Sequence, residues 1–218
     1  MTKDNFQDLL EQRSTVLLDI IKQRRSVRKF NPDPVKKEDI LAIVEAAAMA
    51  PSATNAQNWQ FIAVETETKR KELADAIRNQ INEYSSLIKS ERAFNEFNAY
   101  SRYFTFFDTA PLVLCVIKTP YASFSKRIMK RYGLSTEALD AADAQGPSAA
   151  IQNILLAAHA MGYGACWMTG PLVAKEKLEK VLNLAPDNHL MAIIPIGKTD
   201  AMPEAPKRKP MDEVFVSM

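Results

Sequence analysis

The chain has 218 residues, 47% of them hydrophobic, enough to bury a substantial core as one domain and too apolar for a disordered polymer. Its 28 basic and 26 acidic residues leave a net charge of +2, so no global field points to nucleic acid or to an anionic membrane surface. Cys115 and Cys166 are far apart with no CxxC or Cys/His spacing, the N-terminus lacks a signal pattern, and no apolar run nears the ~20 residues that span a bilayer; together these point to a cytoplasmic protein without a disulfide framework.

Along the chain, residues 5–22 carry Phe6, Leu9, Leu10, Leu17, Leu18 and Ile21 at helical spacing, which predicts a core-facing helix with a break near Arg13 and Ser14. Residues 23–30 (QRRSVRKF) then gather Arg24, Arg25 and Arg28 with Lys29 and Ser26. Guanidinium forks bind phosphate oxygens in pairs and keep their charge at any physiological pH, so the run reads as a phosphate grip; the plainer alternative is a solvated basic helix end. Asn31-Pro32-Asp33-Pro34 cannot be helix interior, so Ser26 to Phe30 should leave the helix as extended chain. Residues 37–50 have acidic residues early and apolar ones at helical spacing, and Pro51 ends that helix. The stretch 51–59 (PSATNAQNW) is a loop rich in amides and hydroxyls. Residues 60–65 read as a strand, and 66–81 as a polar helix capped by Thr66.

Residues 82–108 collect Tyr84, Phe94, Phe97, Tyr100, Tyr103, Phe104, Phe106 and Phe107. An ordinary aromatic core is the simpler reading, and a roof over a pocket or subunit interface the functional one. Residues 111–118 (PLVLCVIK) suit a buried strand with Cys115 as a small hydrophobe, and the polar, irregular 119–145 reads as a lid or cover. The most apolar helix is predicted over 147–161, stopped by Gly162, with His159 as a packed residue. A strand over 163–168, a turn at Thr169-Gly170-Pro171, a helix over 174–184 and a last strand over 189–196 follow. The proline-rich tail from Met202 should be an extended arm.

Walker A, HExxH and GxSxG patterns are absent. Gly162-Tyr163-Gly164 begins a GxG, but Trp167 takes the third glycine's place, and helix precedes strand, the reverse of a dinucleotide fingerprint.

Five separated segments remain: QRRSVRKF, PSATNAQNWQF at 51–61, GYGACWMTGP at 162–171, IPIGK at 194–198 and PKRKP at 206–210. In this order they resemble the nitroreductase family of FMN-dependent NAD(P)H oxidoreductases, over roughly residues 16–210. The resemblance implies an α+β, nitroreductase-like fold: a mixed, mainly antiparallel central sheet wrapped by helices, in a homodimer whose C-terminal arms are exchanged. One domain would span 1–218, with 82–145 as a helical excursion and 202–218 as the arm.

It also implies roles. Arg24, Arg25 and Ser26 would take FMN phosphate and ribityl oxygens, with Lys207 and Lys209 adding charge from the arm. Arg28 would stand beside the flavin N1 and O2 edge as the catalytic cation. Pro51, Ser52, Ala53 and Asn55 would line the ring, some of them from the partner chain, while Met168, Thr169 and Gly170 would present backbone N–H groups to it. NAD(P)H and then a small aromatic or quinone-like substrate would use one pocket in turn, with Tyr100, Phe104 and Phe124 as equivalent gate candidates and no metal. Two positions depart from the family: Lys209 stands where arginine is common, and Asn58 precedes Trp59 where proline is frequent, so the loop should be differently shaped. Dehalogenation, enone reduction or flavin cleavage on the same scaffold, and a non-enzymatic binder of phosphate or nucleic acid, are the alternatives.

Overall fold

A computed structural model of the chain describes residues 3–201 and 203–218; Met202 and the side chains of Phe6 and Leu9 lie outside the described residues. The centre is a four-stranded sheet in the order β1-β2-β4-β3, every neighbouring pair antiparallel: β1 (Trp59–Val64), β2 (Leu112–Lys118), β3 (Gly164–Ala165) and β4 (His189–Gly197). The extended chain beyond residue 23 adds a parallel bridge between Ser26 and Ala165 at the outer edge of β3, so the sheet is mixed, as the resemblance implies.

β2 is apolar at nearly every position because both of its faces are covered. Leu112, Leu114 and Val116 pack with Ile194 and Ile196 against α2 (Lys37–Ala48) and α7 (Gln145–Ala160). Val113, Cys115 and Ile117 face α3 (Glu67–Leu87) and α8 (Lys175–Val181), with Phe104 and Phe107 in the same cluster. A bulge pairs Val116 with Ala192 but Ile117 with Leu190, skipping Met191, so Leu190 and Ile193 share one face although three positions apart. Cys115 is completely buried, and burial pushes its thiol up to about 12.

Local chemistry sets the helix ends. The hydroxyls of Thr66 and Ser90 accept from the N–H of Lys69 and Ala93 at the starts of α3 and α4 (Glu91–Ser101), and Ser123 accepts from Lys126 N–H at the start of α5 (Phe124–Arg131). α7 stops at Gly162, in the left-handed region at φ +79°, where Gly162 N–H donates to His159 O and Tyr163 N–H to Ala158 O. Tyr163 then donates its phenol to Asp39, and Asn153 its amide to Ala46 O, which fastens α7 to α2.

Several expectations need correction. α1 (Lys3–Gln23) is unbroken, and Ser14 satisfies its hydroxyl within the helix by donating to Glu11 O. Its apolar stripe is not core-facing in the single chain: Val16 is 59% exposed and Leu17 53%, with Leu18 and Ile21 also exposed. The 82–145 span is not one excursion, since it contains the central strand β2; its first half buries Phe107, and its second holds α5 and the short α6 (Glu137–Asp140). The 163–168 strand contracts to Gly164–Ala165 with a separate bridge at Met168. The tail is extended except for α9 (Met211–Val214), and residues 204–218 are exposed throughout. Among the described residues no helix is long and apolar enough to cross a membrane.

Candidate functional site

The basic run crosses from one cleft to another. α1 ends at Gln23, and the chain then lies along β3: Val27 N–H donates to Ala165 O, and Asn31 N–H to Lys198 O. Gly164 permits that approach, because a Cβ there would come within 2.7 Å of the Val27 side chain. Arg24 and Arg25 line a small cleft of about 170 Å³ with His159, Gly164, Thr199 and Pro203. Three residues further on, Arg28 lines a larger cleft of about 440 Å³.

The small cleft is electropositive. Arg25 donates through Nη1 to the carbonyls of Lys22 and Arg24, so part of its fork caps the end of α1. Arg24 Nε is buried without a hydrogen-bond partner, a donor that an anion in the cleft would satisfy. Burial and the charges of Arg24 and Arg25 hold His159 below its ordinary range, so it faces the cleft as the neutral imidazole near neutral pH. The expectation of a packed residue is therefore incomplete, since His159 is only half-buried and belongs to the arginine cleft.

The larger cleft has flat walls and one cation. Tyr100, Tyr103, Phe104, Phe106 and Trp167 surround Arg28, with Met168, Thr169 and Gly170 along one side. Tyr100 meets Phe104 edge-on, with centroids 5.4 Å apart and planes at 87°. Of the three gate candidates, the cleft takes in Tyr100 and Phe104 but not Phe124. Met168 cannot serve as expected, because its N–H donates to Ile193 O at 3.0 Å and its carbonyl accepts from Ile193 N–H. The N–H groups of Thr169 and Gly170 have no acceptor among the described residues. Cys166 lines the larger cleft; burial pushes its thiol up, against the Arg28 charge and a hydrogen bond from Ser26.

Pro51, Ser52, Ala53 and Asn55 line neither cleft. Their loop feeds β1, at the sheet edge opposite the Ser26 bridge; four interstrand gaps separate the two edges, about 19 Å at the usual spacing. The loop backbone is strained, with positive φ at Thr54, Asn55 and Gln57, and Ser52 Oγ accepts from Gln57 N–H across it. Lys207 and Lys209 are exposed on the arm; Lys209 approaches Glu213 at 3.7 Å, and neither lysine is bonded to the Arg24–Arg28 run among the described residues. Sequence reading missed Tyr103, Phe106, Trp167 and His159 as cleft residues. The aromatic density of 82–108 pointed toward the first two, whereas no periodicity distinguishes Trp167 or His159.

Chemically, the chain offers a seat for an anion beside a slot for a flat ring, one guanidinium at the slot and, along its side, two N–H groups without an acceptor among the described residues. Among the described residues no three His, Cys, Asp or Glu side chains gather as metal ligands would.

A family model described as the nitroreductase family matches residues 21–198. The chain is similar to YfhC of Bacillus subtilis, which carries the provisional name NAD(P)H nitroreductase, at 29% identity over 94% of this chain and 95% of that protein. A BluB-like flavoprotein from Clostridium difficile 630 superposes with a TM-score of 0.86 at 30% identity, covering 93% of this chain and 98% of that one. An iodotyrosine deiodinase bound to FMN and 3-iodo-L-tyrosine superposes with a TM-score of 0.66 at 25% identity, covering 89% and 96%.

Proposed function

Because the chain belongs to the nitroreductase family, we propose that it is an FMN-dependent oxidoreductase, working as a cytoplasmic homodimer, that draws on NAD(P)H to reduce a nitroaromatic, quinone or similar electron-poor ring. The observation that carries this reading is the passage of one basic run through both clefts: Arg24 and Arg25 reach the anion seat, and Arg28 the flat slot. A ligand with a phosphate at one end and a planar ring at the other fits that layout, and the unpartnered Arg24 Nε supports it independently.

When bound, FMN supplies the redox chemistry, accepting hydride from NAD(P)H and passing reducing equivalents to the acceptor. Arg24 and Arg25 hold the phosphate, joined by Lys207 and Lys209 from the arm of a second copy. Arg28, fixed before any reaction begins, favours negative charge on the adjoining ring edge. Thr169 and Gly170 orient the ring through their N–H groups, while Tyr100, Tyr103 and Phe104 exclude water and stack on flat substrates.

A second copy completes the site. The sheet order places residues 51–55 and the basic run at opposite edges, so their convergence on one ligand uses loop and run from different chains. The exposed stripe of α1 and the exposed arm, with Phe215 at 65%, supply apolar surface for that pairing.

The test is spectroscopic. Purified protein should be yellow, bleach on NADPH without oxygen, and recover colour on addition of a nitroaromatic. Colourless protein that refuses added FMN ends the proposal. Recovery with an iodinated phenol, but with no nitroaromatic or quinone, moves the reaction to dehalogenation.

A further inference from the structure

Asn58 is buried, 5% exposed, at the end of the strained loop. Its side-chain amide donates to Asp143 O at 2.9 Å, and its backbone carbonyl accepts from Thr119 N–H at 3.2 Å. The Asp143 carboxylate in turn pairs with Lys126 of α5, both side chains largely buried at 13% and 9% exposure. A second tie runs beside the first, since the hydroxyls of Thr54 and Tyr121 lie 2.8 Å apart. Gly146 allows Asn58, Ser52 and Trp59 to close over the start of α7; a Cβ there would sit 3.2 Å from Ser52 Cβ and 3.3 Å from Asn58 Oδ1.

Positive φ at Thr54, Asn55 and Gln57 persists only where the surroundings over-determine it. Here the surroundings are the segment 119–126 and Asp143. We propose that Lys126 and Asp143 are positioning residues: their ion pair fixes the backbone of Asp143, whose carbonyl holds Asn58 and so sets residues 51–55 in the shape that meets the flavin of the partner subunit. The cover helix α5 thereby governs how well a cofactor is bound across the dimer. This inference rests on the reading of 51–55 as flavin-lining.

The experiment compares Lys126→Met, Asn58→Ala, their double variant and Lys126→Arg in the full chain. It reads FMN affinity, melting temperature, and hydrogen exchange of residues 55–59 without FMN. Lys126→Met and Asn58→Ala should each weaken FMN binding about tenfold and speed exchange of the loop about tenfold, the scale of one lost hydrogen bond. The double variant should match the weaker single variant within about twofold, because both act through Asp143. Lys126→Arg should restore the affinity. A lower melting temperature with unchanged FMN affinity and loop exchange in Lys126→Met, or single effects that multiply in the double variant, would overturn the inference. If Lys126→Met does not fold, Asp143→Asn takes its place. Should the wild-type chain bind no FMN, the proposed function fails, and loop exchange in the apo protein still decides whether Lys126 positions residues 55–59.

Discussion

The ring of Phe104 fills the space beside Gly170 that any side chain there would need: a Cβ on Gly170 would lie 2.5 Å from the ring edge. Phe104 in turn carries Tyr100 edge-on, so the backbone of Gly170, the buried ring and the exposed tyrosine form one stack along the wall of the larger cleft. Gly170→Ala must push Phe104 aside, an overpacking that costs about 1–3 kcal/mol. The melting temperature should fall, and turnover should fall further than instability explains, because the N–H donors of Thr169 and Gly170 move with the ring. Wild-type turnover in a folded Gly170→Ala protein would show that this wedge has no part in the reaction.

Arg24 and Arg28 should fail in different ways. Arg24→Ala removes charge-assisted hydrogen bonds worth about 1.5–3 kcal/mol, so FMN should bind roughly tenfold to a hundredfold more weakly, while riboflavin, which has no phosphate, should bind as before. Arg28→Ala should keep FMN but lose on the order of a hundredfold in turnover, the size expected for one lost electrostatic stabiliser. Titration with both flavins and anaerobic turnover separate the two.

His159 predicts a pH dependence. Its folded-state pKa lies below the ordinary value of 6.5, chiefly through burial and then through Arg24 and Arg25. Between the folded and the ordinary value the unfolded chain binds more protons, so this contribution to stability is fully present above about 6.5 and is lost as pH falls through the folded value. The melting temperature of the apo protein should therefore drop between pH 7 and 5, and His159→Gln should lose less over the same interval. Equal slopes for the two proteins would contradict the assignment.

If the arm joins two copies as proposed, removing residues 202–218 should convert that dimer to monomer and weaken FMN binding at least tenfold, through loss of Lys207 and Lys209 and of the apolar arm. Sedimentation with and without FMN measures both. An intact dimer of the shortened chain that binds FMN normally would leave the arm without a role.

Much of the fold was legible because burial leaves direct marks. β2 reads as a strand covered on both faces since hardly a residue in it is polar, and Gly162 ends α7 where the apolar pattern stops. α1 misled because its apolar stripe has the same period whether it meets its own core or stays exposed on the single chain. At the site, the arginines were visible through charge alone, whereas the loss of the Met168 N–H to Ile193 depends on a bridge that periodicity does not encode. Asn58 was noticed as a departure from the family, but its tie to Asp143 joins positions far apart in the chain and only the fold brings them together.

The opposite placement of the 51–55 loop and the Arg24–Arg28 run has a genetic consequence. If the site is shared between two copies as proposed, a polypeptide disabled only at Arg28 and another disabled only in the loop would each be impaired as pure dimers, yet a mixed pair would unite the intact run of one with the intact loop of the other. Random mixing of the two should return on the order of a quarter of the wild-type sites, since half of the pairs are mixed and each has one good site. Two silent alleles brought together in one cell would thus regain a measurable phenotype that neither shows alone.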